Sequence, residues 1–417
     1  MLAELPMLFA LAGLAAYAVL AGADFGAGIW HMAPAGRRAA AVREHTHRSM
    51  SAVWEANHVW LIFVLVVCWT AYPVAFGSIA STLAVPLLIA ALGIIVRGIA
   101  YAMRSATEPG REELLVGGVF ALSSLLTPFA LGAAIGGVAS GRVPVGNAVG
   151  DIWSSWLNPT SVLVGLLAIA TAAYLAAVYL AADAVRLDQR DLAEAFRVRA
   201  LAAGVFAGAL ALAGLGVLAA DAEPLFENLV AGGGLPALVV SVAAGIGTLA
   251  LVRGRRFEAA RYSAGVAVAA IIAGWALAQQ PTVLPGLTIE AAAAGDATLV
   301  ATLIGLGVGL AIVLPSLFVL FRLVLRGRFD PAAEDGPHAA PEAWAPSRPV
   351  RGVRGATAAC LLVGVALMLF GGALAGPIGA LALLAFCALG TVALLQPTDL
   401  AEAPPSPRAP RDHDPQP

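Results

Sequence analysis

The chain of 417 residues is 60% hydrophobic and only 12% charged, and its mean hydropathy is +0.87. These values predict an all-α polytopic membrane protein and argue against a soluble domain. The net charge of −2 at pH 7 argues against nucleic acid or an acidic macromolecule as a partner.

Eleven apolar segments come close to the ~20 residues that an α-helix needs to cross a bilayer. They cover residues 5–31, 53–76, 79–103, 114–138, 160–183, 200–220, 235–252, 261–279, 298–325, 355–373 and 376–395. We number these predicted spans 1 to 11 in chain order.

Arginine residues alternate between the predicted loops. The loops after spans 1, 3, 5, 7 and 9 are basic, whereas the loops after spans 2, 6 and 8 contain no Arg and the loop after span 4 contains only Arg142. Cytoplasmic loops carry the excess of basic residues in membrane proteins. The pattern therefore predicts that the amino terminus lies outside and the carboxyl terminus inside.

The composition changes after span 9. Residues 329–354 are rich in Pro and charge, which predicts a cytoplasmic linker between a membrane domain of residues 1–328 and an additional transmembrane hairpin of residues 355–396. Residues 397–417 form a polar, Pro-rich tail that we expect to be disordered.

Small residues at helical spacing predict close helix packing in two spans. They are Gly22, Gly26 and Gly28 in span 1, and Gly132 and Gly136, which follow Pro128, in span 4.

The sequence lacks the usual motifs for cofactors. It has no Cys-x-x-Cys-His motif, no Walker loop and no Cys cluster. Of its six His residues, only His58 lies inside a span, and His31 closes span 1. This pair is the most that the chain could offer as axial haem ligands, and an interfacial His is more often structural. We therefore expect no haem or metal in this chain.

Two carboxylates and an imidazole occur near the cytoplasmic ends of the first two spans. Asp24 lies in span 1, about seven residues before its inner end, and Glu55 lies at the inner start of span 2. His58 follows Glu55 by three residues and therefore shares its helix face. Since a charged group in hydrocarbon costs several kcal/mol, such residues mark candidate functional sites.

Span 3 brings basic and aromatic residues to the same depth. Arg97, Tyr101 and Arg104 lie at positions i, i+4 and i+7 and line one helix face. A carboxylate whose burial is balanced by a nearby Arg can exchange protons near neutral pH, as a relay requires. Alternatively, Arg97 forms a structural salt bridge with Asp24 or Glu55. The residue pattern leaves both interpretations open.

These segments resemble subunit II of the cytochrome bd family of quinol-dependent terminal oxidases. The most specific match is residues 54–61, Trp-Glu-Ala-Asn-His-Val-Trp-Leu. Supporting matches are residues 23–28 (Ala-Asp-Phe-Gly-Ala-Gly), Tyr72-Pro73, the Arg97, Tyr101 and Arg104 pattern, and Leu157-Asn158-Pro159. The similarity covers about residues 1–330.

The sequence departs from the family pattern at three positions. Glu55 replaces an Asp, Ala56 replaces a Gly, and Gly98 stands where a Pro often follows the Arg. Spans 10 and 11 exceed the nine helices of the family. These differences indicate a divergent member.

The resemblance implies a nine-helix core of two four-helix bundles plus a peripheral helix, to which this chain adds its carboxy-terminal hairpin. It implies a bacterial cytoplasmic (inner) membrane complex that oxidises quinol and reduces dioxygen to water. The haems, expected to be haem b and haem d, belong to the partner subunit I, so this chain is not catalytic alone. The resemblance also allows a small single-helix accessory subunit and a quinone bound as a structural lipid.

For the site, the resemblance implies a cytoplasmic proton path that contains Glu55, Asp24 and His58. The supporting residues would be Arg97, Tyr101, Arg104, Trp54, Asn57 and Trp60.

Two other classes of function remain open from the sequence. Intramembrane carboxylates are compatible with a proton-coupled secondary transporter, although no inverted repeat is apparent. A purely structural membrane scaffold would use Arg97 only to neutralise Asp24 or Glu55.

Overall fold

The computed structural model describes residues 1–32, 39–103 and 111–325, together with isolated positions between 356 and 385. Residues Met1–Asp330 form one compact unit. The predicted linker and the predicted tail lie outside the described residues. So does the predicted hairpin, apart from isolated positions. These three segments therefore remain predictions.

The unit is almost entirely helical. In chain order its first helices are α1 (Leu5–Met32), α2 (Ala39–Ala71), α3 (Pro73–Thr82), α4 (Ala84–Met103), α5 (Arg111–Ala139) and α6 (Pro159–Arg186). They are followed by α7 (Arg190–Asp221), α8 (Glu223–Val230), α9 (Leu235–Arg253), α10 (Phe257–Gln279), α11 (Ile289–Ala292) and α12 (Asp296–Leu325). A two-stranded antiparallel hairpin, β1 (Thr282–Leu284) and β2 (Leu287–Thr288), connects α10 to α11.

Within the described part of the chain, eight helices are long and apolar enough to cross a membrane. They are α1, α4, α5, α6, α7, α9, α10 and α12. In α2 the apolar part is the shorter segment Asn57–Ala71. With α2, these helices correspond to predicted spans 1 to 9, and they confirm the all-α polytopic fold.

The nine helices form two groups of four and one peripheral helix. In the first bundle α1 packs against α2 and α5, and α4 packs against α5. In the second bundle α6 packs against α7 and α10, and α9 packs against α10 and α7. Contacts of α6 with α1 and α5 join the bundles, whereas α12 packs mainly on α2.

Three predicted spans, 2, 3 and 6, differ from the helices of the structure. Predicted span 2 ends and predicted span 3 begins within α3, because the helix breaks after Ala71 and again at Leu83. Helix α2 begins at Ala39, well before the predicted residue 53, so Arg43 and Arg48 are helical. Helix α7 begins at Arg190, ten residues before the predicted start. Hydropathy marks where lipid begins, but a helix can continue into the polar interface because its backbone hydrogen bonds are internal.

Two short motifs of the sequence mark helix boundaries. Asn158 caps α6: its side-chain oxygen accepts a hydrogen bond from Ser161 N at 2.9 Å, and Pro159 occupies the first turn. Pro73 likewise begins α3, and the hydroxyl of Tyr72 donates to the carbonyl oxygen of Ala3 at 2.5 Å. These residues set where one helix ends and the next begins.

The predicted small-residue faces lie at close helix contacts. A Cβ atom at Gly26 would overlap the carbonyl oxygen of Ala172 on α6. One at Gly136 would lie 2.5 Å from Cα of Ser161 on the same helix. Helix α6 can therefore pack against both α1 and α5 only because these positions carry no side chain.

Candidate functional site

A buried ion pair joins α1 to α4. Asp24 on α1 and Arg97 on α4 are 1% and 2% exposed, and Arg97 Nη2 lies 2.5 Å from Asp24 Oδ1. The same nitrogen donates to the backbone oxygen of Asp24 at 2.9 Å. Asp24 lies about 12 Å of helix rise from Met32, at the end of α1 that the arginine pattern places inside.

The other two helices of the first bundle complete this contact. Asn57 on α2 donates from Nδ2 to Asp24 Oδ2 at 3.0 Å, and Arg97 Nη1 donates to the hydroxyl oxygen of Ser124 on α5. Ser124 in turn donates to the carbonyl oxygen of Phe120 at 2.6 Å. We call Asp24, Arg97, Asn57 and Ser124 the Asp24–Arg97 network. Each helix of the first bundle contributes one member, and both carboxylate oxygens have a partner.

Aromatic rings enclose the guanidinium. The Arg97 Cζ atom lies 5.1 Å from the centroid of Phe25 and 4.3 Å from that of Phe120. Gly28 lies beside the same group, and a Cβ there would overlap the Ser124 hydroxyl and lie 2.8 Å from Arg97 Nη1. Low polarity around an ion pair strengthens it and makes the loss of either partner costly.

The network has further hydrogen-bonding capacity. Among the described residues, Arg97 Nε and Asn57 Oδ1 are buried and have no hydrogen-bond partner. A buried donor and a buried acceptor next to a carboxylate can bind a water molecule or a protonated group. Tyr17, which is 7% exposed, lies two turns from Asp24 on the same side of α1.

The structure brings together three of the predicted site residues, Asp24, Arg97 and Asn57. His58, Trp60 and Tyr101 are half-buried on α2 and α4, and the Trp60 ring packs edge-on against Phe63. The backbone of Trp54 and Glu55 belongs to α2, but their side chains lie outside the described residues. Arg104 also lies outside them. Their predicted roles therefore stay predictions.

Sequence reasoning missed Ser124, Phe25 and Phe120 as members of this site. Ser124 and Phe120 lie on α5, in a span that carries no ionisable group near them. The only signal for them in the sequence is the Ser123-Ser124 pair in an otherwise apolar segment. Such a pair needs no functional explanation, because a Ser in a membrane helix commonly hydrogen-bonds to the backbone of its own helix. The tertiary contact with Arg97 reveals their role.

Arg142 belongs to a second ion pair, at the opposite end of the bundles. It forms a bidentate salt bridge with Asp221, in which Nη1 donates to Oδ2 at 3.0 Å and Nη2 donates to Oδ1 at 2.6 Å. Thr160 donates to Asp221 Oδ2 from its hydroxyl at 2.6 Å and from its backbone nitrogen at 3.1 Å. The contact ties the α5–α6 loop and the start of α6 to the end of α7.

A third ion pair lies in the second bundle at the basic end. Arg261 on α10 lies 2.6 Å from Asp183 on α6 and 5.0 Å from the centroid of the Tyr179 ring. Each bundle thus contains an ion pair between an Asp near the basic end of its first helix, α1 or α6, and an Arg on a later helix, α4 or α10. Among the described residues, no three His, Cys, Asp or Glu side chains are placed to hold a metal ion.

The fold and the network define the chain as a helical integral membrane protein with a charged pair inside its first bundle. The family model described as cytochrome bd terminal oxidase subunit II matches residues 2–324. The chain therefore belongs to this family, as the resemblance predicted. It is a subunit of an oxidase complex of the respiratory type and a multi-pass membrane protein.

Among solved structures, the chain is similar to one from the bd oxidase of Geobacillus thermodenitrificans. The two are 25% identical with a TM-score of 0.62, over 78% of this chain and 99% of the other. No curated protein matches the sequence.

Proposed function

We propose that this chain is the haem-free subunit II of a bd-type quinol oxidase in a bacterial cytoplasmic membrane. It stabilises the complex and carries part of a cytoplasmic proton path, while the haem-bearing subunit I oxidises quinol and reduces dioxygen to water. The chain is not catalytic alone. The observation that carries the proposal is the buried Asp24–Arg97 network in a member of this family.

The proposed location of haem b and haem d in the partner is supported by the cavities of this chain. A haem iron needs an axial His, Met, Cys or Tyr ligand. The residues that line the two described cavities, of about 380 and 480 Å³, include none of these four residue types. A quinone bound as a structural lipid and a single-helix accessory subunit remain part of the proposal.

The exposed face of α12 supports a partner subunit. Among the described residues, none of the most apolar 18 residues of α12 is buried, whereas 17–50% are buried in the other seven candidate spans. Helix α12 packs on α2. The part of α2 that stays exposed includes an apolar stripe formed by Val59, Ile62, Val66 and Trp69. Their spacing of three and four residues is typical of helix–helix packing. We propose that subunit I contacts these two helices.

The proposed proton path runs through Glu55, His58 and Asp24. Asn57 on α2 donates to Asp24, and the backbone of Glu55 lies two residues before Asn57 on the same helix. Glu55 is therefore close to the network in depth, although residues two apart lie on different helix faces. Asn57 Oδ1 and Arg97 Nε, which have no hydrogen-bond partner in the described part of the chain, support a hydrated or protonated neighbour there. The full pairing of Asp24 also supports the alternative that this carboxylate is mainly structural.

The test is the Glu55→Gln variant of the whole complex, which removes the exchangeable proton but keeps the side-chain size. We expect normal assembly and haem spectra but a loss of most quinol oxidase turnover, since acid–base steps contribute ~10²–10⁴-fold where they limit a rate. Glu44→Gln is the matched control, because Glu44 is an exposed residue of the same helix. Equal turnover in the two variants would remove Glu55 from the path.

A further inference from the structure

An apolar groove opens between α6 and α7. Its volume is about 380 Å³, within the ~300–1,000 Å³ of typical ligand sites. Small residues such as Ala173 and Ala203 form its floor, and the exposed side chains of Leu166 and Phe206 form its walls. On α7 the lining residues run from Ala202 to Leu210, about 12 Å of helix rise. The groove thus extends along about two helical turns of α7 and has an apolar lining, as a hydrocarbon chain requires.

The positively charged side chain of Arg199 lies at one end of the groove. Trp30 of α1 closes that end and is held by a hydrogen bond from its indole nitrogen to the carbonyl oxygen of Ala173 at 2.7 Å. The guanidinium carbon of Arg199 lies 5.8 Å from the Trp30 ring centroid and 5.3 Å from that of Phe196. Since Arg199 precedes Ala202 and Ala203 by about one turn, its charge stands just beyond the apolar lining.

Arg199 has no carboxylate partner among the described residues. The nearby Glu194 pairs with Arg197 at 2.6 Å and with Arg255 at 3.3 Å. The only hydrogen bond of the Arg199 guanidinium in the described structure is from Nη1 to the carbonyl oxygen of Ala195 at 3.1 Å. Because a guanidinium carries five N–H donors, most of them remain available.

Position in the membrane and charge together identify the occupant. The groove lies along spans, and basic residues are concentrated at its cationic end. Examples are Arg190 at the start of α7, Arg253 at the end of α9 and Arg256 just before α10. This end is the cytoplasmic side by the positive-inside pattern. Basic pockets between helices on that side bind anionic headgroups. A neutral lipid would use the groove but leave the guanidinium without a counter-charge.

We propose that this groove binds an anionic phospholipid of the cytoplasmic leaflet. One acyl chain lies between α6 and α7 against the alanine floor, and the phosphate accepts hydrogen bonds from Arg199. Trp30 positions the guanidinium by stacking with it. This inference does not depend on the proposed oxidase function.

The experiment uses the complex purified in detergent from its native membrane and then mildly delipidated. Native mass spectrometry measures binding of added phosphatidylglycerol and of phosphatidylcholine. We expect the wild type to prefer phosphatidylglycerol. Arg199→Gln should weaken that binding about fivefold and remove the preference, since one basic residue near the headgroups contributes ~1 kcal/mol.

Two further variants separate the headgroup site from the groove. Arg256→Gln is the charge-matched control, because Arg256 is exposed and does not line the groove, and it should bind both lipids like the wild type. Ala203→Phe fills the floor and should reduce the binding of both lipids. The proposal is overturned if Arg199→Gln keeps the wild-type affinity and preference, or if the tightly retained molecule is a neutral isoprenoid quinone that this variant still binds.

Discussion

Replacing Asp24 with Asn should destabilise the protein strongly. The variant keeps the shape of the side chain but removes the charge that faces Arg97 Nη2 at 2.5 Å. The guanidinium would stay 2% exposed between two aromatic rings, with no anion among its described contacts. Breaking a buried ion pair from one side typically costs ~3–5 kcal/mol. We expect a loss of this size in the free energy of unfolding.

The assay is an SDS titration of the purified complex followed by circular dichroism, with oxidase turnover measured on the same samples. Asp188→Asn is the matched control, because Asp188 pairs with Arg190 at 3.5 Å but both side chains are about 90% exposed. Exposed pairs contribute little to stability, so this variant should unfold like the wild type. If both variants lose the same free energy, the reasoning about the buried pair is wrong.

A double variant separates a structural pair from a proton relay. Asp24→Leu combined with Arg97→Met replaces both charges with apolar side chains, and such replacements are often neutral or stabilising. We therefore expect the double variant to be more stable than Asp24→Asn. Full turnover in a stable double variant would show that the pair is only structural. A stable fold without turnover would support its place in the proton path. A double variant less stable than Asp24→Asn would contradict the energetic argument.

Two further predictions concern packing and the outer ion pair, and both use the same titration. Gly26→Ala should lose ~1–3 kcal/mol because its Cβ overlaps the Ala172 carbonyl oxygen, the cost expected for overpacking. Gly245→Ala on α9 is its control, since a Cβ there would have no described atom within 4 Å apart from its own helix backbone, and no loss is expected. Asp221→Ala should lose ~1–3 kcal/mol by removing the acceptor of Arg142 and Thr160. A loss from Gly245→Ala as large as from Gly26→Ala, or an unchanged Asp221→Ala, would contradict these estimates.

Much of the site could be predicted from the order of the residues. A carboxylate in span 1 and a guanidinium in span 3, both near the cytoplasmic side, have few partners in hydrocarbon other than each other. The sequence therefore predicts a contact of Arg97 with Asp24 or Glu55, and in the structure Arg97 pairs with Asp24. The sequence cannot choose between the two carboxylates, because both lie at similar depth and helix rotation is not visible in hydropathy.

The ends of the helices were less predictable than their existence. Hydropathy predicts the start of span 2 near residue 53, but α2 begins at Ala39.

The role of Arg142 could not be predicted either. In the sequence it is only a weak departure from the charge alternation of the loops. The structure shows that this arginine is neutralised by Asp221. A carboxylate 79 residues away in sequence leaves no local signal.

The sequence by itself determined the class of the protein and the number and order of the membrane helices in residues 1–325, and it predicts their orientation. These features follow from the energy of each segment in lipid, which depends on local composition and on the charges at its ends. The tertiary structure alone decided which side chains contact each other. Asn57 and Ser124 complete the Asp24–Arg97 network, and Gly26 allows α6 to pack closely against α1. Arg199 lies at the end of a groove. Such contacts depend on how each helix is rotated about its axis and on the packing of all its neighbours together, and no single segment encodes that.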